Sequence, residues 1–480
     1  MTWDAQQGKW IPGPAAPYQG ARQWTPPAAA PSAFAGVPVG DHVRDGAAAL
    51  LLILSLIMPW DWSHAATSRL EVVLITIVSL LSLSVGYLAR ANAFGPAFTV
   101  ARAATVRRLA NLPYLLLFVI YLLIDVVNGG GGGIGAAAAF GLAGVVLAVQ
   151  PHEAEIAARG DRGSSDRAWL AVPVVIAGLS ALIVLISMVM FIVEFGTSFT
   201  GAAMLLASML SLLLAVVLIG VPTVGMLARD PAWRLVLVTV AASAICMFLL
   251  AKMGAAAAPL VESIHLLSAG MMLWPALAAA AVAPSARRAM RAEGRTWEAA
   301  AVRVLTLAIA AAAIYLVIAI LDVVDAPSTV RAVILVVLAA MYLGLAVVAR
   351  LLVAGRDARV RVIGFGAAAA LLLLGIVVLI VTGTAPYLGV ESSDLFRALV
   401  IPAALAGFLG VQAALDGRAA GLRPGVGTGT PAPQPWGPPV TTAPAVAPPM
   451  PPPPPATASA PPPPPPPPPA PPPPPPAPPA

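Results

Sequence analysis

From Gly46 to Leu415, apolar segments of membrane-spanning length alternate with short loops. Successive loops alternate between arginine-rich and nearly uncharged. A bilayer core about 30 Å thick is crossed by roughly 20 helical residues. Because no water inside the core can satisfy backbone N–H and C=O groups, each segment must be a helix. Charged residues make up only 10% of the chain, which is too few to cover a water-soluble globule. The sequence therefore predicts an all-α, polytopic membrane protein with the lipid bilayer as its first partner.

Twelve of these segments are predicted to cross the bilayer as a helical bundle. They cover residues 46–61, 70–89, 112–127, 134–149, 169–195, 200–228, 234–251, 264–283, 304–324, 330–349, 362–381 and 398–415. The third and fourth segments are short. They therefore either cross the bilayer twice or form a re-entrant hairpin around residues 128–133.

The distribution of basic residues orients the chain. If the N-terminus, every second loop and the C-terminus share one side, that side holds 23 of the 27 lysine and arginine residues. Basic loops stay in the cytoplasm, so both termini are predicted to be cytoplasmic. Arginine greatly outnumbers lysine, and alanine and glycine are abundant, as in proteins encoded by GC-rich bacterial genomes. The predicted location is therefore a bacterial plasma membrane.

An internal repeat divides the predicted bundle into two halves. The triplet Asp125-Val-Val ends the third segment, and Asp322-Val-Val ends the ninth, 197 residues later. The same offset places the fourth to sixth segments on the tenth to twelfth and also matches two arginine-rich loops. We predict two six-helix halves, residues 43–228 and 229–417, related by an axis along the membrane normal.

The two ends of the chain are predicted to be disordered and cytoplasmic. Residues 1–42 contain proline, glycine and tryptophan without an apolar core. Residues 418–480 carry no charge after Arg423 and hold 31 of the 51 prolines. Consecutive prolines adopt the stiff polyproline II conformation. The tail is therefore either a spacer or a docking strand for a cytoplasmic polyproline-binding partner.

Asp125, Asp322 and the neighbouring Asp325 are candidates for an outer-gate or ion site. Charged residues within membrane segments often mark ion or proton pathways. A pair at equivalent positions of two halves could bind a cation between them. The alternative is that these acids mark where each helix leaves the hydrocarbon, since about 28 Å of helix separates Arg303 from Asp322.

A second candidate, an outer vestibule, follows the first segment. It comprises Trp60, Asp61, Trp62, His64 and Glu71. A histidine there would titrate near neutral pH. The alternative is an aromatic belt, because tryptophans at the end of a span commonly anchor it at the membrane interface.

Arginines of two cytoplasmic loops are candidate lipid contacts at the inner leaflet. On short amphipathic helices their guanidinium groups would meet anionic headgroups. The same charges also serve to orient the chain, which is the simpler explanation of their presence. The residues are Arg102, Arg107, Arg108, Arg287, Arg288 and Arg291.

No motif predicts a cofactor, a metal or a nucleic-acid partner. The single cysteine, Cys246, lies in an apolar segment, and no Cys/His metal spacing accompanies it. The glycine run at 129–133 lacks the Lys-Ser/Thr of a phosphate-binding loop. We therefore predict no catalytic residue, and the oligomeric state is not indicated.

The predicted plan of two six-helix halves with cytoplasmic termini resembles the major facilitator superfamily. The segment Gly86-Tyr-Leu-Ala-Arg90 begins like that superfamily's loop motif, Gly-x-x-x-Asp-Arg-x-Gly-Arg, but no aspartate follows it. The Met58-Pro-Trp-Asp61 end of the first segment and the proline-rich tail are similar to uncharacterised Ala/Val/Leu-rich polytopic membrane proteins of actinobacteria. The first resemblance implies transport, whereas the second implies no function.

Two functional hypotheses follow. The duplication favours a transporter or permease that moves a small solute between the two halves. The proline-rich tail favours a non-transporting envelope scaffold that recruits a cytoplasmic partner. An enzyme is not expected, because the predicted outer loops are too short to build a catalytic site.

Overall fold

A computed structural model describes residues 2–11, 37–127, 132–153, 155–156, 162–195, 202–253, 260–293, 295–325, 329–355, 360–383 and 399–421. The predictions for residues 12–36, for most of the glycine run and for the proline-rich tail lie outside these residues.

The described chain is built almost entirely of helices. They are α1 (Val39–Ile57), α2 (Leu70–Arg90), α3 (Val100–Val127), α4 (Ala136–Val149), α5 (Arg162–Phe195), α6 (Ala202–Leu227), α7 (Pro231–Lys252), α8 (Trp274–Ala281), α9 (Pro284–Ala289), α10 (Thr296–Asp325), α11 (Thr329–Ala354), α12 (Val360–Gly383) and α13 (Ile401–Gly421). Four short strands accompany them: β1 (Thr2–Asp4), β2 (Lys9–Ile11), β3 (Ile134–Gly135) and β4 (Val261–Glu262).

Eight of the described helices are long and apolar enough to cross a membrane: α2, α3, α5, α6, α7, α10, α11 and α12. This finding confirms the predicted class, a multi-pass α-helical membrane protein. The other four predicted spans fall on shorter or more charged helices. α4 has 14 residues and α8 has eight, whereas α1 carries three charged residues in its first two turns. A count of twelve spans therefore stays a prediction.

α4 and α8 form the centre of the bundle. Residues 136–148 of α4 and all residues of α8 are buried. Their many alanines permit close packing of α4 against α1, α3 and α8. The approach is closest at Gly141, where an added Cβ atom would lie 1.6 Å from the hydroxyl oxygen of Tyr114. The two short strands β3 and β4, which precede these helices, pair with each other in antiparallel register.

α4 runs the full distance between the two ends of α1. At its start, Gly135 N donates to Trp60 O (2.7 Å) and Ala137 N donates to Pro59 O (3.0 Å), just after α1 ends. Beyond its last residue, His152 lies 2.9 Å from Asp45, in the first turns of α1. The two ends of α4 therefore lie at opposite ends of α1, and the crossing of the bilayer by the third and fourth predicted spans stays a prediction.

The predicted duplication matches some element lengths and not others. The 197-residue offset pairs α3 with α10, which have 28 and 30 residues. It also pairs α4 with α11, which have 14 and 26 residues. Helices of both predicted halves pack into one unit, through α4 with α8 and α6 with α10. The two-half organisation therefore stays a prediction.

Residues 2–11 contain two short strands within the segment that was predicted to be disordered, and the prediction for residues 1–42 as a whole stays a prediction. β1 and β2 form an antiparallel hairpin in which the rings of Trp3 and Trp10 lie 5.4 Å apart. The turn is set by Asp4, whose Oδ1 accepts hydrogen bonds from the amides of Gln6 and Gln7. Gly8 supplies the left-handed conformation, with φ of 57°. The turn at Asp4 and Gly8 was not among the features predicted for residues 1–42.

Candidate functional site

Buried polar groups gather at both ends of α3. Arg107 and Asp125 are 18 residues apart on this helix, which corresponds to about 27 Å. The first group, the Arg107 cluster, lies at the end with the arginine-rich loops, which we call the basic end. The second, the Asp125 cluster, lies at the opposite, acidic end. Members of the Arg107 cluster are Asp41, Arg44, Asp45, Tyr87, Arg107, His152 and Glu155. Members of the Asp125 cluster are Asp125, Gly133, Glu262, Ser263, Ile264 and Ser268.

Arg107 is the centre of the first cluster and is 1% exposed. Its Nη2 donates to Glu155 Oε2 (2.8 Å) and to the carbonyl oxygen of Gln150 (2.8 Å). Its Nη1 lies 2.8 Å from His152 Nδ1. Burying a guanidinium is costly unless a carboxylate compensates it, and Glu155 supplies that charge. The pair thus fastens the segment after α4 to α3.

The remaining members extend this network to α1 and α2. Asp45 Oδ2 lies 2.9 Å from His152 Nε2 and accepts a hydrogen bond from the Tyr87 hydroxyl at 2.8 Å. Arg44 pairs with Asp41 at 3.1 Å. Three cationic and three anionic side chains therefore neutralise one another in a buried site that joins α1, α2, α3 and the segment after α4.

The environment of His152 favours its charged form. Burial alone would lower the pKa of His152, but hydrogen bonds to Asp45 and Glu155 outweigh it and raise the pKa above the usual value. The nearby Arg107 opposes this effect. Burial would likewise raise the pKa of Glu155, but His152 and Arg107 hold that pKa below its usual value. Both shifts favour the ion-paired state of the cluster.

Asp125, one of the predicted outer-gate residues, is 1% exposed and fully engaged. Its carboxylate accepts hydrogen bonds from Gly133 N (2.6 Å), Ser263 Oγ (2.7 Å) and Ile264 N (2.9 Å). Gly133 has φ of 94°, and an added Cβ there would lie 2.5 Å from Trp62 Nε1, so only glycine fits. Asp125 thus joins the end of α3 to the segments around β3 and β4.

Glu262 is the second buried carboxylate of this cluster. It accepts hydrogen bonds from the backbone N–H groups of Met271 and Met272, both at 3.2 Å, and from Ser268 Oγ at 3.4 Å. These donors are neutral. Burial raises the pKa of Glu262 to about 7, although hydrogen bonds from the backbone of Met272, Met271 and Ala269 and from Ser268 oppose the shift. Glu262 therefore changes charge near neutral pH.

A large apolar groove connects the two ends. This α3–α5 groove has a volume of about 1030 Å³ and is lined by α3, α4 and α5, together with Ile264 and Leu273. Arg108, Asn111 and Trp169 line it at the basic end, and Val126 lines it at the acidic end. Its length along α3, from residue 108 to residue 126, is about 27 Å.

A small polar cavity adjoins the groove at the acidic end. Its volume is about 20 Å³, enough for one water molecule. Asp125, Glu262, Ser263 and Ser268 contribute its polar walls. It shares five apolar residues with the groove: Phe118, Leu122, Ile183, Ile264 and Leu273. The two buried carboxylates are therefore separated from the groove only by shared side chains.

His265 lies beside this cavity and is paired. Its Nδ1 lies 2.6 Å from Glu194 Oε1, and its Nε2 lies 3.3 Å from the carbonyl oxygen of Val126. The hydrogen bond to Glu194 raises the pKa of His265. This pair ties the end of α5 to the segment after β4.

The predicted outer vestibule forms a compact loop between α1 and α2. Asp61 is buried and accepts hydrogen bonds from Ser63 N, His64 N and Arg69 Nη2. Burial would raise the pKa of Asp61, but His64 and Arg69 lower it. The structure therefore brings Asp61 and His64 together as a self-contained turn.

The other vestibule residues divide between the interior and the surface. Trp60 is 1% exposed, and its ring lies 5.2 Å from that of Tyr121. Glu71 is exposed and accepts a hydrogen bond from the Tyr121 hydroxyl at 2.9 Å. Trp62 is 50% exposed. A vestibule function for these residues stays a prediction.

The remaining predicted site residues lie apart from the two clusters. Asp322 is partly exposed near the end of α10, and the side chain of Asp325 lies outside the described residues. Arg288 bridges Glu153 (2.7 Å) and Asp166 (2.6 Å). Of the predicted lipid contacts, Arg102, Arg108, Arg287, Arg288 and Arg291 are exposed. Their contact with lipid headgroups stays a prediction.

Arg107 corrects one of these predictions. It was expected beside Arg108 at the lipid surface, but it points into the protein and pairs with Glu155. Successive helical residues are rotated by about 100°, so neighbouring arginines face different surroundings.

Of the cluster members, sequence reasoning singled out only Arg107 and Asp125. The titratable residues that it did not select include Asp45, His152, Glu155 and Glu262. The available signal was an unusual density of charge at the edges of apolar segments, in Asp41-His-Val-Arg-Asp45 and His152-Glu-Ala-Glu155. These segments lie more than a hundred residues apart, so no local pattern pairs them. Among the described residues, no group of three or more His, Cys, Asp or Glu is placed to hold a metal ion.

Comparison with known proteins gives one match. A family model described as "Domain of unknown function (DUF7937)" matches residues 41–418, which include nearly all of the helical unit. No curated protein and no solved structure matches the chain. The match is consistent with the predicted resemblance to an uncharacterised family, and the resemblance to the major facilitator superfamily is unsupported.

Proposed function

The chain belongs to this family of unknown function, and on that premise we propose that it is a permease-like membrane protein that carries an amphiphilic solute along the α3–α5 groove. The observation that carries the proposal is the groove itself, which runs about 27 Å between the basic and acidic ends. That length is close to the thickness of a bilayer core.

The walls of the groove suit an acyl chain. Most lining residues are leucine, isoleucine or valine. Leu115 and Val119 of α3, and Leu179 and Leu182 of α5, line the groove and are each 40% to 47% exposed. The groove is therefore open along its side, where lipid chains surround the protein. An amphiphile could enter it from the bilayer without crossing water.

The basic end of the groove suits a polar head. Arg108 lines it there and attracts an anionic group. Asn111 is 1% exposed, and its Nδ2 donates to Ser82 Oγ at 2.8 Å. Its Oδ1 is buried without a hydrogen-bond partner among the described residues. A buried acceptor of this kind favours a ligand that donates a hydrogen bond. The preferred solute thus combines an acyl chain, an anion and a hydroxyl or amine group.

The same proposal includes the finer topology. We assign twelve spans in two halves to a plasma membrane, with the basic end and both termini in the cytoplasm. The positive-inside rule supports this orientation, since the arginine-rich loops gather at one end. The head of the solute would then bind at the cytoplasmic leaflet.

The test is binding and transfer of a fluorescent lysophosphatidylglycerol by the full-length protein. Val119→Trp would fill the groove, whereas Leu123→Trp places the same side chain on an exposed position of α3 outside the groove lining. We expect at least tenfold weaker binding with Val119→Trp and no change with Leu123→Trp. Dithionite added outside proteoliposomes quenches only the probe in the outer leaflet. The wild type and Leu123→Trp should move the inner-leaflet probe outward and so make it accessible to dithionite, whereas Val119→Trp should not. Equal binding by all three proteins, or none by the wild type, would contradict the proposal.

A scaffold is the second candidate function, because the centre of the bundle is tightly packed. The contact between α4 and α8 is built of buried alanines, which favours a rigid body over two halves that rock apart. The proline-rich tail would then recruit a partner. Truncation after Arg423 should remove that partner from crosslinked complexes in cells. An unchanged set of crosslinked proteins would count against the scaffold.

A further inference from the structure

Glu262 is a buried acid whose surroundings leave its charge uncompensated. The donors that contact it are the backbone N–H groups of Met271, Met272 and Ala269 and the Ser268 hydroxyl, all of them neutral. By contrast, Asp125 accepts three short hydrogen bonds, and Glu194 pairs with His265. A carboxylate held only by neutral donors and shielded from bulk water is the group most easily protonated.

The titratable groups around Glu262 come from three elements. Asp125 faces the same small cavity from the end of α3, and His265 lies three residues further along the segment that contains Glu262. Glu194, at the end of α5, is bonded to His265 and is absent from the cavity lining. Glu194 is thus the partner of His265, and Asp125 is the other acid that lines the small cavity with Glu262.

The cavity gives Glu262 access to a water molecule and to the groove. Five apolar residues, including Phe118, Leu122 and Leu273, form walls of both spaces. On α3, the residues that line the cavity are Phe118, Leu122 and Asp125, which lie on one face of the helix. An acyl chain in the groove would therefore lie against the same side chains that enclose the cavity and would exclude water from it.

Building on the proposed function, we propose that Glu262 binds and releases a proton through the small cavity, and that an amphiphile in the groove favours its protonated form. The proton passes from the cavity water to a carboxylate oxygen, and no covalent bond to the solute is made. Exclusion of water from the cavity disfavours the charged carboxylate. By linkage, protonation of Glu262 must then strengthen binding of the amphiphile by the same factor.

The first experiment measures binding of fluorescent lysophosphatidylglycerol to the full-length protein in nanodiscs on both sides of neutral pH. With the wild type, affinity should fall by up to tenfold per pH unit above the pKa of Glu262. Glu262→Gln keeps an acceptor for Met271 and Met272 but cannot ionise, so its affinity should not change with pH. Glu194→Gln, which alters the neighbouring ion pair, should retain the wild-type slope. An equal slope in the wild type and Glu262→Gln would overturn the coupling.

A second experiment separates this inference from the proposed function, because it requires no ligand. Infrared difference spectra of the unliganded protein should show a protonated carboxyl band that disappears as pH rises through neutrality. The band should be absent from Glu262→Gln and present in Glu194→Gln. A band that does not titrate, or that persists in Glu262→Gln, would overturn the proton site whether or not the probe binds. A titrating band without probe binding at any pH would support the proton site and contradict the proposed function.

Discussion

Arg107 and Glu155 form an ion pair, with 2.8 Å between Nη2 and Oε2, in which only 2% and 1% of the two side chains are exposed. Arg107 comes from the third helix, and Glu155 follows the central helix α4. The pair therefore fixes the position of α4 at the basic end, while Asp125 fixes its start through Gly133 at the acidic end.

Removing the carboxylate from this pair should strongly destabilise the protein. Glu155→Gln leaves the Arg107 guanidinium buried without its counter-charge, which costs about 3–5 kcal/mol. Reversible unfolding in detergent measures the change in free energy. The matched control is Glu153→Gln, which breaks a half-exposed pair with Arg288 and should cost about 1 kcal/mol or less. Similar losses in the two variants would show that burial does not determine the strength of the Arg107 pair.

Gly141 should not tolerate even a methyl group. Its substitution by alanine would place Cβ 1.6 Å from the Tyr114 hydroxyl oxygen, so the α3–α4 contact must shift, at a cost of about 1–3 kcal/mol. Gly178→Ala in α5 is the control, since no atom lies within 4 Å of an added Cβ. That change should be neutral or stabilising by up to about 1 kcal/mol. Thermal unfolding of both variants checks the difference, and equal melting temperatures would be inconsistent with this packing.

The free energy of unfolding should fall as pH rises through two ranges, one set by Glu262 and one by His152. Glu262 has a pKa of about 7 in the folded protein against a usual 4.5, so its stabilising contribution is complete below pH 4.5 and is lost as pH rises through about 7. The pKa of His152 is raised above 6.5, so its contribution is complete below 6.5 and is lost as pH rises through that higher value.

Single variants test which residue causes the loss of stability in each pH range. In thermal unfolding scans against pH, Glu262→Gln should flatten the lower window and His152→Gln should reduce the upper one. His265, whose pKa is also raised, should leave a residual slope in His152→Gln. Rising stability across the lower window in the wild type would contradict the direction of the Glu262 shift.

The two aspartates of the predicted repeat should respond differently to the same change. Asp125→Asn turns an acceptor of three hydrogen bonds into a group with two donors, beside the N–H groups of Gly133 and Ile264. The expected loss is about 1–3 kcal/mol. Asp322→Asn, at a partly exposed position, should cost less. Unfolding of both variants at one pH tests the contrast. If both are fully stable and only transfer of the lysophospholipid is lost, Asp125 acts as a gate and not as an anchor.

The membrane helices could be predicted because apolar length is a local property of the sequence. Eight predicted spans coincide with helices of sufficient length, and α7 starts where Asp230 accepts from Ala232 N, immediately before Pro231. The hairpin at Thr2–Ile11 could have been predicted from its Asp4 and Gly8 turn. It was missed because residues 1–42 were treated as a single disordered segment.

The polar clusters could not be predicted from local patterns. The hydrogen bond from Ser263 to Asp125 and the contact of His152 with Asp45 join residues more than a hundred positions apart. Whether an arginine faces lipid or protein also depends on helix rotation, as Arg107 and Arg108 demonstrate. Only the packing of α4 against α1 and α3 brings these groups together.

The burial of α4 also constrains how the protein is made. A 14-residue helix is short for independent insertion into a bilayer, and nearly every residue of this one contacts other parts of the chain. One of its partners, α8, begins more than a hundred residues after α4 ends. At a synthesis rate of about 5–20 residues per second that delay is roughly ten seconds. During this time α4 can pack only against the earlier helices α1 and α3. The central contact between α4 and α8 must therefore form late in synthesis.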